Sequence, residues 1–443
     1  MKIRGLLIAT VVFAALAGVL YWSDHRKPSA EAAKPDADAA PSILKLDENS
    51  ITRVDLKKKD SPDVVLSKSG SDWKITEPKP LAADQSSVSS LVSSLATLNS
   101  DRLVDDKASD LQRYGLDHPA MEFDVTEKDN KGQRLLLGDE TPTGSAVYAA
   151  LAGDPRVFTI PSYRKTSLDK SLNDLRDKRL LTLSPDKVSR LELDSKNGDI
   201  EFGRNKDEWQ ILKPKPMRSD SMAVTALINK LTNAHMDLTG PDSSAKDSDA
   251  AFAKGTPVAT VKLTGESSTE QLQLRKEEDS YYAKSSVVEG AYKVEPDLGS
   301  AVDKKLEDFR NKKLFDFGYA DPNKVELHSG SKTYWLVRSG QDWWDNGKKM
   351  DEDSVRTVIS DLRDLSADKF VNSGFTAPEV EATVTSEDGK RVEKIQISKS
   401  GSNYVAKRDG DPTLYQLPAA SVDDLQKSLD GIKPAANPVK SAK

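Results

Sequence analysis

The chain contains no cysteine. That absence excludes disulfides, thiolate nucleophiles, Cys-ligated zinc, iron–sulfur clusters and a lipid-modified cysteine anchor, while leaving the compartment open. Histidine is scarce: His25, His118, His235 and His328 make up the whole set, no two stand at metal-ligand spacing, and there is no HExxH. Each reads as a solvated or locally hydrogen-bonded ring. No two glycines are separated by a single residue, so GxG phosphate loops, GxSxG elbows and dinucleotide fingerprints are missing, as are Gly-Lys-Ser and Gly-Lys-Thr. An excess of one charge sign is missing too. The 65 bases and 71 acids are interspersed and leave −6, without the basic stripe that nucleic-acid binders carry. Carboxylate pairs are plentiful, but among 71 acids they arise by chance and single out no glycosidase-type centre. The residues therefore assign no catalytic group, no cofactor and no metal, and the chain reads as non-enzymatic.

One long apolar run is present. In "MKIRGLLIATVVFAALAGVLYWSDHRKP" two bases precede eighteen uncharged, mostly apolar residues, Gly5 to Trp22. At ~1.5 Å per residue they reach about 27 Å, close to the ~30 Å hydrocarbon core. Tyr21 and Trp22 fall where an interfacial aromatic belt would lie. A cleaved signal peptide is the competing reading, because Ala15-Leu16-Ala17 fits the small-residue cleavage pattern. Cutting there would leave an apolar "GVLYW" stub, which favours a transmembrane anchor. Either reading exports the remainder of the chain. The expected topology is a single membrane crossing with the C-terminal body extracytoplasmic. "PSAEAAKPDADAAPS", Pro28 to Ser42, holds no apolar residue larger than alanine and reads as a solvated spacer.

Beyond it the chain repeats itself. "SGSDWKITEP" at Ser69 returns as "NKDEWQILKP" at Asn205 and "SGQDWWDNGK" at Ser339. From Trp73 to Trp209 the offset is 136 residues, and at that offset Pro78 meets Pro214, Pro80 meets Pro216 and Asp84 meets Asp220. Val88, Leu91, Val92 and Leu95 then answer to Val224, Leu227, Ile228 and Leu231, and in a third copy to Val355, Val358, Ile359 and Leu362. That spacing lines one face of a helix. Asp84, Asp220 and Asp351 each stand four residues ahead, placed to cap it. Short alternating stretches separated by turn residues follow in every copy, too closely spaced for crossover helices, so antiparallel hairpins are expected. "LNDLRDKRLLTL" (Leu172 to Leu183) returns as "LEDFRNKKLFDF" (Leu306 to Phe317) and reads as a closing helix; the third copy ends in "SVDDLQKSLDG" instead.

The expected fold class is α+β: three related repeats of mainly antiparallel sheet with covering helices, after one N-terminal transmembrane helix. The boundaries are an anchor or signal peptide at 1–27, an Ala/Pro-rich spacer at 28–47, repeat domains at 48–183, 184–317 and 318–434, and a tail at 435–443. A repeat of ~130 residues is large enough to hold its own core.

The candidate interaction or structural residues are Trp73, Trp209, Trp343, Trp344, Arg176 and Arg310. A tryptophan at the same strand position in three copies is most simply a core residue. Trp343 and Trp344 are the exception, because strand neighbours point to opposite faces and one of the two should face outward or toward a partner. An outward aromatic is where interface hot spots tend to fall. The basic cluster Arg176, Lys178, Arg179 and its echo Arg310, Lys312, Lys313 has two readings. It caps the last turn of the closing helix, pairing with Asp174, Asp177 and Asp308, or it binds an anionic headgroup or polysaccharide.

"DWKITEP", the Asp-led helix, "YGLDHP" (Tyr114 to Pro119) and "LRDKRLL" (Leu175 to Leu181) together resemble the bacterial family of domain of unknown function (DUF) 4340. The likeness covers the first repeat well and weakens along the chain, where "YGLDHP" degrades to "FAKGTP" and "GFTAP". The resemblance implies one N-terminal membrane segment and an accessory or scaffold role beside an ABC transporter in the cell envelope. It carries no catalytic residue onto this chain. The expected partners are the membrane, through the N-terminal helix, and an envelope protein; no nucleic acid is expected, and no small-molecule ligand is identified. An envelope glycan-binding module using Trp or Tyr faces is the alternative, and a carboxylate-dependent hydrolase the third reading.

Overall fold

The computed structural model describes residues 43–206, 208–239 and 245–436. The anchor at 1–27, the spacer as far as Ser42 and the tail from Asn437 fall outside the described residues. Among those described, no helix is long and apolar enough to cross a membrane. The chain is α+β, with three antiparallel sheets. It divides into two compact units, one ending at Lys178 and the other beginning at Arg179.

The first unit is the first repeat. Its strands are β1 (Ile51–Lys58), β2 (Val64–Ser69), β3 (Asp72–Glu77) and β4 (Leu81–Ala82), then helix α1 (Gln85–Ala96). After α1 come β5 (Arg102–Asp105), β6 (Met121–Glu127), β7 (Gly132–Glu140), β8 (Ala146–Leu151), β9 (Val157–Pro161) and helices α2 (Ser162–Leu168) and α3 (Leu172–Leu175). Two meanders meet where β6 pairs with β1, in the order β4-β3-β2-β1-β6-β7-β8-β9-β5.

The second unit repeats that plan twice. Strands β10 (Arg190–Ser195), β11 (Gly198–Asn205), β12 (Glu208–Lys213) and β13 (Met217–Arg218) lead into α4 (Ser221–Thr232) and α5 (Ala245–Lys254). Then β14 (Thr256–Thr264), β15 (Thr269–Glu277), β16 (Ser280–Ser285), β17 (Ala291–Val294) and α6 (Pro296–Val302) complete the repeat. Among the described residues the order β13-β12-β11-β10-β14-β15-β16-β17 has no last edge strand, and one bridge between Asp237 and Lys293 marks its place. The third repeat runs β18 (Lys324–Ser329), β19 (Lys332–Ser339), β20 (Asp342–Asp345), β21 (Lys348–Lys349), α7 (Glu352–Asp364) and β22 (Lys369–Val371). It continues β23 (Val380–Ser386), β24 (Arg391–Ser400), β25 (Asn403–Arg408), β26 (Leu414–Leu417) and α8 (Ala419–Asp430), and restores the full nine-strand order.

Local chemistry sets the helices. Asp84 accepts from the Ser87 N–H at 2.7 Å, Asp220 from Met222 and Ala223 at 2.9 and 3.1 Å, and Asp351 from Ser354 at 3.0 Å. Each carboxylate satisfies donors that a helix start leaves free. The apolar stripes of α1, α4 and α7 are buried, each in the core of its own repeat.

The expected closing helix does not form. Leu172–Leu175 is a single α-turn and Leu306–Phe309 a 3-10 turn, after which Arg176 and Arg310 are extended. The true closing helices are α2, α6 and α8, which pack on α1, α4 and α7. "SVDDLQKSLDG" is thus the counterpart of Ser162–Leu168, not of "LNDLRDK". The reason is that the repeated motif serves two cores. Leu175 belongs to the first core but Leu180 and Leu181 to the second; Phe309 belongs to the second but Leu314 and Phe315 to the third. A helix would put these residues on one face of one core, whereas an extended chain hands them on.

Backbone pairing supports the extended path. Arg176 bridges Ala83, Arg310 bridges Ser219 and Pro434 bridges Met350, each time beside the residue before the capping Asp. The lead-in that follows donates to the end of the next main helix: Leu180 N–H to Ala234 at 3.0 Å and Leu314 N–H to Leu365 at 3.0 Å. Ile43 does the same toward Leu98 at 3.3 Å, and with Leu44 it is buried in the first core. Residues 43 and 44, inside the span read as solvated spacer, therefore belong to the folded body.

Candidate functional site

Trp73, Trp209 and Trp343 occupy the second position of β3, β12 and β20, and all three are buried. Their backbones tie the strand to the helix start. Gln85 brackets Trp73, accepting its N–H at 2.8 Å and donating to its carbonyl at 2.9 Å. The Trp209 N–H donates to Ser221 Oγ at 3.0 Å, while Ser219 Oγ donates to the Trp209 carbonyl. Packing consumes these three indoles, leaving nothing on them for a ligand to stack upon.

Trp344 points the other way and is 37% exposed. Its cross-strand partner is Val337, and Trp335 lies two residues before Val337 on the same face of β19. Trp335 and Val337 are 41% and 45% exposed, so the three form one apolar patch on the outer face of the third sheet. Trp335 is held in place. Its N–H donates to Asp345 Oδ1 at 2.8 Å, the His328 ring meets its indole edge-on at 5.9 Å, and Lys324 Nζ sits 5.3 Å from its centroid. The rim is charged, with Lys349 paired to Asp342 at 2.9 Å and Lys324 paired to Glu326. In the first two repeats the same places hold Val65, Ser67 and Lys74, and Glu201, Gly203 and Gln210. Glu201 is buried between Lys213 at 2.7 Å and Arg190 at 2.8 Å, and the Lys213 contact leads in holding its carboxyl below the usual range against the opposing effect of burial. The aromatic face therefore belongs to the third repeat alone. Sequence reasoning missed Trp335 and Val337; their signal was the alternation in "KTYWLVRS", where Leu336 is the inward residue.

The two arginines are placed alike in the backbone. Arg176 is buried at the C-cap of its single turn. Asp174 and Asp308, proposed partners, are spent on capping: Asp174 accepts from the Ser171 N–H at 2.8 Å, and Asp308 from the Lys305 N–H at 2.8 Å. Arg310 stacks flat on Phe370, 3.5 Å from the ring centroid, with Nη2 reaching Thr413 Oγ1 at 3.3 Å. It lies on the seam between the second and third repeats, beside a cleft of ≈ 1090 Å³.

Charged pairs knit that seam. Arg218 pairs with Asp316 and donates to the Lys313 carbonyl at 2.9 Å and to Tyr415 Oη at 3.1 Å. Arg391 pairs with Glu208 at 2.8 Å, and Arg408 with Glu393 at 3.0 Å. Tyr415 Oη donates to Asp411 at 2.7 Å. Burial pushes the Tyr415 pKa up to about 12; Arg218 opposes that and the Asp411 hydrogen bond adds to it. Two of the carboxylates lining the cleft, Asp316 and Glu208, are thus paired to arginine.

The family-type motif "YGLDHP" is a turn. Tyr114 Oη donates to Asp105 at 3.1 Å, and Gly115 closes the turn at φ 63°, where a Cβ would meet the Asp139 carboxyl at 2.5 Å. Of the histidines, His118 is exposed, His328 bonds Thr333 Oγ1 at 3.1 Å, and His235 bonds the Asn233 carbonyl. His25 falls outside the described residues.

Two overlapping stretches, 73–251 and 209–379, match the family described as Domain of unknown function (DUF4340), and together they cover more than half of the chain. The matches begin at Trp73 and Trp209, the same position of two successive repeats. Curated proteins yield no match. Among solved structures, a DnaN sliding clamp (DNA polymerase III subunit beta) from Pseudomonas aeruginosa bound to griselimycin aligns at 8% identity and a TM-score of 0.13. The alignment covers 90% of this chain and 94% of that one, and a TM-score so low carries no argument about fold or function.

Proposed function

Because this chain belongs to the DUF4340 family, we propose that it is a non-enzymatic, membrane-tethered envelope protein acting as an accessory or scaffold component of an ABC-transporter-associated assembly. The tether is the apolar run Gly5 to Trp22, with the repeats held outside the bacterial inner membrane in the periplasm. The transporter association rests on the family resemblance. The single observation that carries a docking role is the outward face of Trp335, Val337 and Trp344 in one repeat of three. Exposed tryptophans grouped on a rigid sheet make good anchors for a protein partner, because they contribute large area with little side-chain entropy to lose. The arginine-paired carboxylates of the seam favour a structural over a hydrolytic use of the cleft.

The test is affinity capture of the full chain from detergent-solubilised membranes, alongside a Trp335→Ser/Trp344→Ser double variant. A membrane-protein partner recovered with the native chain and lost with the variant is the expected result. Equal recovery by both, or no recurrent partner, overturns it. Protease digestion of spheroplasts checks the compartment: the body should be cut without cell lysis. A glycan-binding reading draws on the same two indoles, diagonal neighbours on a flat face, and predicts that a glycan array binds the native chain and not the variant.

A further inference from the structure

A second, smaller cleft of ≈ 400 Å³ also borders Arg310, lined among others by Lys215, Lys312, Lys369, Glu307 and Asp368. Four cations against two carboxylates leave two positive charges over, in a chain whose net charge is −6. Among the described residues, no carboxylate comes within ion-pairing distance of Arg310, Lys215, Lys312 or Lys369, although the seam beside them is densely paired. Arg310 is also short of acceptors. Its Nε is buried and donates to nothing among the described residues, and its one side-chain bond is the long contact to Thr413. Burial lowers its pKa, with Tyr415, Glu307 and Asp411 offsetting that only from a distance. A stacked, half-buried guanidinium without a counter-charge is costly unless something supplies one.

We propose that this cleft binds a phosphate group, with Arg310 fixed on Phe370 as the donor and Lys215, Lys312 and Lys369 as its flanking charges. A phosphate carries close to the two negative charges the lining lacks. Its oxygens suit the planar fork of a guanidinium that is held rigid by stacking. The site lies apart from the Trp335 face and does not depend on that face having a partner. A free phosphate ester matches both charges and a phospholipid's phosphodiester headgroup one of them; the two share the anionic phosphoryl oxygens that a guanidinium fork recognises.

The full chain in nonionic detergent, titrated with inorganic phosphate in a calorimeter, tests this. Saturable binding that weakens with added salt is expected, with Arg310→Gln lowering affinity by about tenfold, the worth of one charge-assisted contact. Should Arg310→Gln disturb folding, Lys312→Gln/Lys369→Gln alters only exposed side chains and should still weaken binding severalfold. No saturable heat, or binding indifferent to both variants, overturns the site. Repeating the titration in phosphatidylcholine nanodiscs with and without phosphatidylglycerol separates the sources. Phosphate affinity that falls only with phosphatidylglycerol identifies the headgroup, and affinity equal in both identifies a free phosphate; either result upholds the site.

Discussion

Replacing Glu270 with alanine should loosen the start of the second repeat while leaving its sheet intact. This carboxylate sits in β15, buried, and reaches a segment 88 residues earlier. It accepts from the Thr182 N–H at 2.7 Å, the Thr182 hydroxyl at 2.5 Å and the Leu183 N–H at 3.1 Å. The other repeats use the same device. Glu393 takes the Asp316 N–H on both oxygens at 3.0 and 3.1 Å, and Gln133 brackets Lys45, accepting its N–H at 3.0 Å and donating to its carbonyl at 2.6 Å. A hydrogen bond to a charged group contributes roughly 1.5–3 kcal/mol. The three at Glu270 are not additive, and the freed N–H groups regain some water, so Glu270→Ala should cost about 3 kcal/mol. At about 2–4 °C per kcal/mol that is a fall in Tm of roughly 6–12 °C. Glu393→Ala should cost more, because it also removes the nearer carboxylate from Arg408, whose side chain is only 13% exposed, and leaves it Asp316 at 3.8 Å and the Leu314 carbonyl. Gln133→Ala, neutral and nearer the surface, should cost least. Thermal melts give the ranking, and hydrogen-exchange mass spectrometry on a peptide spanning 178–186 gives the location. Equal losses at all three sites, or unchanged exchange at Thr182 and Leu183 in Glu270→Ala, would refute the clamp.

Trp209→Ala should destabilise by about 3–5 kcal/mol as a buried aromatic is emptied, whereas Trp344→Ala should stay within about 0.5 kcal/mol; urea midpoints distinguish them. Asp84→Ala, Asp220→Ala and Asp351→Ala should each cost about 1 kcal/mol, and Asn at the same positions much less, since the cap requires an acceptor oxygen rather than a charge. Burial pushes the folded-state Tyr415 pKa up to about 12 from 10.0. Its contribution is therefore complete below pH 10 and disappears as pH rises toward 12. Melts across that range should show an alkaline loss that is reduced in Tyr415→Phe, and an identical loss in both chains would contradict the burial argument.

The three main helices were legible because their information is local. An Asp cap and an i, i+3, i+4, i+7 stripe specify a helix whatever surrounds it, as in Asp351 with Val355, Val358, Ile359 and Leu362. The Trp343-Trp344 pair was legible for a similar reason, since alternation on a strand sends neighbours to opposite faces. The closing helix was misread because "LNDLRDKRLL" has helical spacing while its leucines serve two different cores. Nothing in a short window says which core a leucine joins. Trp335 escaped notice because exposure depends on what the rest of the fold leaves uncovered.

By itself, then, the sequence determined the period of the repeats, the antiparallel α+β character of each and the inward placement of Trp73 and Trp209, all properties of spacing and side-chain type. Only the tertiary structure decided which strands are neighbours, which of Trp343 and Trp344 faces inward, that Arg310 lies on Phe370 without an ion-paired carboxylate among the described residues, and that Glu270 and Glu393 hold backbone from 88 and 77 residues earlier. These depend on contacts closed across long stretches of chain. Residues that meet only after folding leave no periodic trace in the order of the amino acids.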